Sequence, residues 1–193
     1  MSQINTAQTL RTVGGEQART LHIIQGEQAV SDDPNVVMTT LLGSCVAACL
    51  RDPVAGIGGM NHFLLPGDRE AVGSGASERQ AVHAMELLVN ALLARGASRR
   101  RLEAKIFGGA ATMQGLTDVG NLNAAFAIAF LQRESITIVG ECLRGNLGRR
   151  IQYWPVSGRA RRVFLPSSEV PAPVFRAPVA KPETTDAGSL ELF

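Results

Sequence analysis

The chain has 193 residues, with 19 Lys and Arg against 17 Asp and Glu, a formal net charge of +2 and 45% hydrophobic side chains. That length suits one domain with a real apolar core, and the near-balanced charge argues against a dedicated nucleic-acid binder. No apolar span reaches membrane length, because Glu86 and Asn90 break the longest candidate, so membrane insertion is not expected.

Residues 1–18 are polar and unpatterned and read as a flexible lead-in. A strand is predicted from Arg19 to Gln25, around Leu21, Ile23 and Ile24, and a second over Val36 to Leu42, ending at Gly43. Cys45 to Leu50 is short and apolar, and is compatible with a helix opening at Ser44 or with a strand. Asp52-Pro53 marks a turn, after which Ile57 to Leu65 reads as a strand carrying His62. Gly67 to Gly75 is a loop. Ala81, Ala84, Met85, Leu88 and Leu92 then recur at helical spacing until Gly96 stops the helix.

Leu102 to Phe107 is predicted as a strand opening into Gly108-Gly109, a pair that permits close backbone approach beside a site. Asn121 to Arg133 is predicted as a second helix, burying Leu122, Ala125, Phe126, Ala129 and Phe130. Ile136 to Cys142 reads as a strand, and Ile151 to Trp154 with Arg161 to Leu165 as a hairpin around Pro155-Val156-Ser157-Gly158. From Pro166 onward the chain holds five of its nine prolines and few apolar residues, which predicts a disordered tail over 166–193. The expected fold class is α+β: a mixed α/β sandwich of largely antiparallel strands with two long helices, spanning 19–165.

Chemistry concentrates in Thr39-Thr40-Leu41-Leu42-Gly43-Ser44-Cys45-Val46 and Gly58-Gly59-Met60-Asn61-His62-Phe63-Leu64-Leu65-Pro66. A cysteine just after a glycine-containing turn is placed to attack a carbonyl, and a histidine brought beside it can exchange the proton. Gly43 and Ser44 supply the turn and backbone N–H groups for a developing oxyanion. Thr39 offers a hydroxyl to orient the imidazole, and Thr40 duplicates it. The bland alternative is a buried thiol and a boundary histidine, since cysteine is commonly a small core hydrophobe. Cys45, Cys49 and Cys142 are odd in number and no signal-peptide core is evident, so reduced thiols in the cytoplasm are expected. With His62 they make a poor zinc set, because paired ligand motifs are lacking. The arginines at 99–101, 144, 149–150, 159 and 161–162 read as solvated loop and edge charge, or else as a positive rim facing an acidic protein.

These segments resemble the CheD-type chemoreceptor glutamine deamidases. The resemblance rests on Thr39, Gly43-Ser44-Cys45-Val46, Asp52-Pro53, Gly58-Gly59-Met60, and His62 with Leu65-Pro66. It continues through Glu103-Ala104-Lys105-Ile106-Phe107-Gly108-Gly109-Ala110, Gly145-Asn146-Leu147-Gly148-Arg149-Arg150 and Ser157-Gly158. It implies a cofactor-free enzyme acting on methyl-accepting chemotaxis receptors, with Cys45 as nucleophile, His62 as acid and base and Thr39 as orienter. It also implies a CheC-type phosphatase as a second partner. Two rival readings are another cysteine amidohydrolase and a non-catalytic regulator of a chemotaxis phosphatase; the intact Thr39, Cys45 and His62 weigh against the latter.

Overall fold

Val36–Leu42 (β4) and Val46–Asp52 (β5) are apolar runs too short for helices, and both fold as strands in the computed structural model, which describes residues 8–13, 16–65, 76–111 and 119–166. The other strands are β1 (Gln8–Val13), β2 (Glu16–His22), β3 (Gln28–Ser31), β6 (Ile57–Asn61), β7 (Glu103–Gly108), β8 (Thr137–Leu143), β9 (Gly148–Tyr153) and β10 (Ala160–Leu165). Two helices, α1 (Ala76–Ala94) and α2 (Val119–Arg133), and a 3-10 turn at Arg99–Arg101 complete the described elements.

The strands form two five-stranded sheets, ordered β1-β2-β4-β9-β10 and β3-β6-β5-β7-β8. Only the β2–β4 and β7–β8 pairings are parallel among the described residues. The α+β sandwich read from the sequence is therefore the fold, and it has three layers. Leu21, Ile23, Val36, Met38, Ile151 and Tyr153 of the first sheet pack against Ala47, Cys49, Met60 and Phe107 of the second. The opposite face of the second sheet, with Val46, Ala48, Leu50, Ala104 and Ile106, packs against Met85, Leu88 and Leu92 of α1 and Phe130 and Leu131 of α2. Covered on both sides, β5 has no solvent face, which explains why its sequence is continuously apolar rather than alternating.

Three expectations change, and one strand, β3, was not anticipated. Residues 8–13, read as part of a loose lead-in, form β1 and pair antiparallel with β2, which starts at Glu16. Thr9, Thr12 and Val13 are strand formers, but the polar residues among them hide the pattern. The short β3 had no periodicity to reveal it. Helix α2 turns a different face inward: Asn123, Ala124, Ala127 and Leu131 are buried with Phe130, whereas Leu122, Ala125 and Ala129 are exposed. Its sequence is apolar almost all round, so spacing carries little contrast. Arg149, expected in solvent, is almost wholly buried and donates to the carbonyls of Cys142, Arg144 and Leu147, closing the β8–β9 connection. Residues 1–7, the Gly67 to Gly75 loop and the tail beyond Pro166 lie outside the described residues.

Candidate active site

Cys45 follows the Gly43-Ser44 bend and leads directly into β5. No helix starts there. Cys45 is buried, and desolvation pushes its thiol up to about 12, opposed only in part by its own backbone N–H. Two backbone bonds hold the bend: Gly109 N–H donates to Cys45 O at 2.8 Å and Ala110 N–H to Gly43 O at 2.9 Å. Gly108 makes this approach possible. Its φ is +116°, and a Cβ there would lie 2.0 Å from Cys45 O. The Gly108-Gly109 pair thus builds the floor of the Cys45 bend, as the close-approach reading anticipates.

His62 reaches the same face through strand register. Cys49 pairs with Met60 and Val46 with Phe63 in one antiparallel register, so Ala47 lies opposite His62 and Cys45 is its diagonal neighbour. Both side chains therefore look into the space between the sheets. The residues on either side of His62 face the other way and act as anchors. Asn61 Oδ1 accepts from Ala48 N–H at 3.0 Å, and its Nδ2 donates to Ala84 O of α1 at 3.1 Å. Phe63 stacks edge-on against Phe126 of α2, with ring centroids 5.7 Å apart. Asn123 of α2 accepts from Leu65 N–H at 2.7 Å, fixing the chain just beyond.

The hydroxyl beside the imidazole belongs to Thr40, not Thr39. Thr40 Oγ1 lies 2.9 Å from His62 Nδ1, whereas Thr39 Oγ1 donates to Ile151 O at 2.8 Å. Strand parity explains the correction: in β4, Thr40 shares the inward face of Met38 and Leu42, and Thr39 points the opposite way. Ile23 O also stands 3.4 Å from Nδ1. A carbonyl only accepts, so it favours the tautomer with its proton on Nδ1 and leaves Nε2 with a lone pair. Nε2 is buried and has no hydrogen-bond partner among the described residues. Burial pulls the imidazole down to about 4, against which the Ile23 carbonyl works. At neutral pH the resting pair is accordingly thiol and neutral imidazole, not the thiolate–imidazolium pair that a helix-borne cysteine would suggest.

The remaining cysteines stand apart from this pair. Cys49 lies four residues along β5, about 13 Å of strand from Cys45. Cys142 Sγ lies 3.1 Å from an Arg149 guanidinium nitrogen and 2.9 Å from one of Arg162. Among the described residues no three His, Cys, Asp or Glu side chains gather as metal ligands. Sequence reasoning passed over Asn61, Asn123 and Gln25. An asparagine inside an apolar strand, as at Asn61, is the one signal that a buried polar anchor was required.

A fold of two sheets under a helical layer, with a cysteine and a histidine sharing the inter-sheet face, defines the class: a Cys/His α+β sandwich. A sequence profile described as CheD chemotactic sensory transduction matches residues 64–162. The chain is 56% identical over 185 residues to a "Probable chemoreceptor glutamine deamidase CheD" of Acidiphilium cryptum (strain JF-5), covering 92% of this chain and 95% of that one. It is 55% identical over 179 residues to a protein of the same description from Rhizobium leguminosarum bv. trifolii (strain WSM2304), covering 91% and 97%. The chain belongs to the CheD family. Among solved structures, a Bacillus licheniformis hypothetical protein, YfiH, aligns with a TM-score of 0.39 and 13% identity over 60% of this chain and 49% of that one. That likeness is too distant to bear on fold or function.

Proposed function

We propose that the protein hydrolyses the side-chain carboxamide of glutamine in chemotaxis receptors, giving glutamate and ammonia, with Cys45 as nucleophile and His62 as proton carrier. The observation that carries the chemistry is the placing of a turn-held thiol and an imidazole on one inter-sheet face by strand register, with His62 Nε2 buried and without a hydrogen-bond partner among the described residues. Relatives more than half identical over nearly their whole length bear the deamidase description.

As the sulfur attacks the carboxamide carbon, the thiol proton passes to His62 Nε2. Because both groups rest neutral, this transfer belongs to the attack itself, not to a preceding equilibrium. The oxygen of the tetrahedral intermediate turns toward the Gly43-Ser44-Cys45 bend, where backbone N–H groups can receive it. His62 then protonates the departing nitrogen, and ammonia leaves a thioester on Cys45. Water enters, gives a proton to Nε2 and releases glutamate while the thiol is restored. Thr40 and Ile23 O hold the ring in the tautomer that permits each transfer. The fold supplies all these groups from side chains and backbone, so the reading invokes no cofactor.

In this reading the protein works in the cytoplasm, and a CheC-type phosphatase is a second partner, testable by co-purification. The decisive experiment incubates the purified protein with a receptor cytoplasmic fragment and follows ammonia and peptide masses. Each converted glutamine gains about one dalton, and Cys45→Ala abolishes the gain while the protein stays folded, because covalent catalysis loses its nucleophile. Undiminished conversion by folded Cys45→Ala removes the thiol from the mechanism.

A further inference from the structure

The segment Ile23–Glu27 wraps His62. Gly26 N–H donates to His62 O at 2.8 Å, and His62 N–H donates to Glu27 O at 3.0 Å. Glu27 N–H closes on Ile24 O at 3.0 Å, so Ile24 to Glu27 form a tight turn, with Gly26 at φ +86° in the position that asks for glycine. Gln25 occupies the first corner of that turn. Its side-chain oxygen accepts from the Cys45 thiol, with Sγ to Oε1 at 3.8 Å. The catalytic sulfur of a glutamine-processing site is thus in contact with the carboxamide of a glutamine from its own chain.

Two further observations give this contact meaning. Cys45 and His62 are each only 6% exposed, so an incoming glutamine cannot meet the sulfur while the wall stays as it is. The turn holding Gln25 is the outward part of that wall: Ile24 is 57% exposed and Gly26 is also exposed. Backbone bonds hold the turn to His62, and from it the Gln25 side chain reaches the Cys45 thiol. Rotation of that side chain is a smaller change than any movement of β5 or β6, whose faces are both packed.

Resting on the deamidase reading, we propose that Gln25 is an internal stand-in for the substrate, its carboxamide sitting where the receptor glutamine's must go and being displaced when that glutamine binds. Sγ meets the amide oxygen along its S–H bond, so the contact holds the thiol without presenting it to the amide carbon. The same contact directs the thiol proton away from His62 Nε2. Substrate entry would exchange one carboxamide for another and release that proton toward the imidazole. Gln25 then acts as a self-competing latch that raises the concentration of receptor needed for turnover and shields the thiol from adventitious reagents.

The test uses the full chain and the Gln25→Ala variant, with iodoacetamide as thiol probe and peptide-resolved mass spectrometry to read Cys45 alone. Loss of a contact of this strength, about 1 kcal/mol, corresponds to a rate increase of roughly fivefold for Cys45 alkylation. With a receptor fragment, KM should fall by a similar factor while kcat holds, the signature of removing a competitor for the ground state. Unchanged alkylation and KM in a variant with wild-type melting overturn the proposal. So does a fall in kcat at constant KM, which would make Gln25 an aid to the chemistry. Alkylation needs no receptor, so it judges the latch even if Cys45→Ala proves to retain deamidation and the deamidase reading fails.

Discussion

At the level of single residues, the two adjacent threonines separate orientation from stability. Thr40 Oγ1 faces His62 Nδ1, and Thr39 Oγ1 is spent on Ile151 O across the β4–β9 pairing. Thr40→Ala should lower kcat roughly 2- to 10-fold, the kinetic equivalent of one lost orienting hydrogen bond of about 0.5–1.5 kcal/mol. Thr39→Ala should instead lower stability by about 1 kcal/mol, for a buried hydrogen bond removed, and keep kcat. Steady-state rates and denaturant midpoints of the two variants check both claims, and the reverse pattern would restore Thr39 as the orienter. The resemblance implies Thr39, but a motif counts positions and ignores pleat. Cys45 and His62 were legible as candidates from their turn and their apolar flanks, but the face a strand residue takes depends on which neighbour it pairs with.

At the level of elements, the site is an intersection of backbones rather than a cluster of side chains. The Gly43–Cys45 bend, the end of β7 and the start of α2 approach more closely than side chains allow. A Cβ on Gly109 would stand 2.7 Å from Gly120 O, and one on Gly108 only 2.0 Å from Cys45 O. Gly108→Ala therefore combines a clash with backbone and a left-handed φ of +116°, and should cost about 1–3 kcal/mol from conformation alone. The bend must shift to relieve the clash, so activity at a temperature where the variant remains folded should fall at least tenfold, as small misplacements of a reacting atom do. Wild-type turnover in a folded Gly108→Ala protein would show that the bend is not held by this contact. The glycines were readable as a place of close approach, although what approaches was not, since Cys45, the partner of Gly108, lies more than sixty positions away in sequence. In the double-sided core, β6 and β7 were legible from apolar content, whereas Cys45 to Leu50 stayed open between helix and strand because only its pairing with both neighbours makes it β5. By contrast, β1 and β3 owe their existence to pairing and left little trace in periodicity, and the inward face of α2 sets Asn123, which accepts from Leu65 N–H, beside the core residues Ala127, Phe130 and Leu131.

For the molecule as a whole, the fold buries two groups whose protonation opposes folding, and both act in the same direction with pH. His62 titrates near 6.5 when exposed and is pulled down to about 4 by burial. Between those values the unfolded chain binds the extra proton and the folded one does not, so stability falls as pH drops through that window. The loss should approach about 3 kcal/mol by pH 4, at roughly 1.4 kcal/mol per pH unit. Asp52 works lower on the scale. Its fully buried carboxylate is held well below the usual range chiefly by Arg101, helped by the N–H groups of Ser98, Ala55 and Val54. Its depressed pKa contributes stability above the ordinary carboxylate range, and that contribution starts to be lost once pH falls below about 4. The acid limb should thus have two stages with separate origins: His62 at the site, and Asp52 at the turn joining β5 to β6 and the 3-10 segment. Urea midpoints measured from pH 7 to pH 3 should show His62→Gln flattening the upper stage while Asp52→Asn lowers stability at neutral pH and flattens the lower. Wild type and His62→Gln losing stability in parallel between pH 6.5 and 4.5 would mean that His62 is not buried as a neutral ring, and the proton transfer proposed for Cys45 would have to begin from a different resting state.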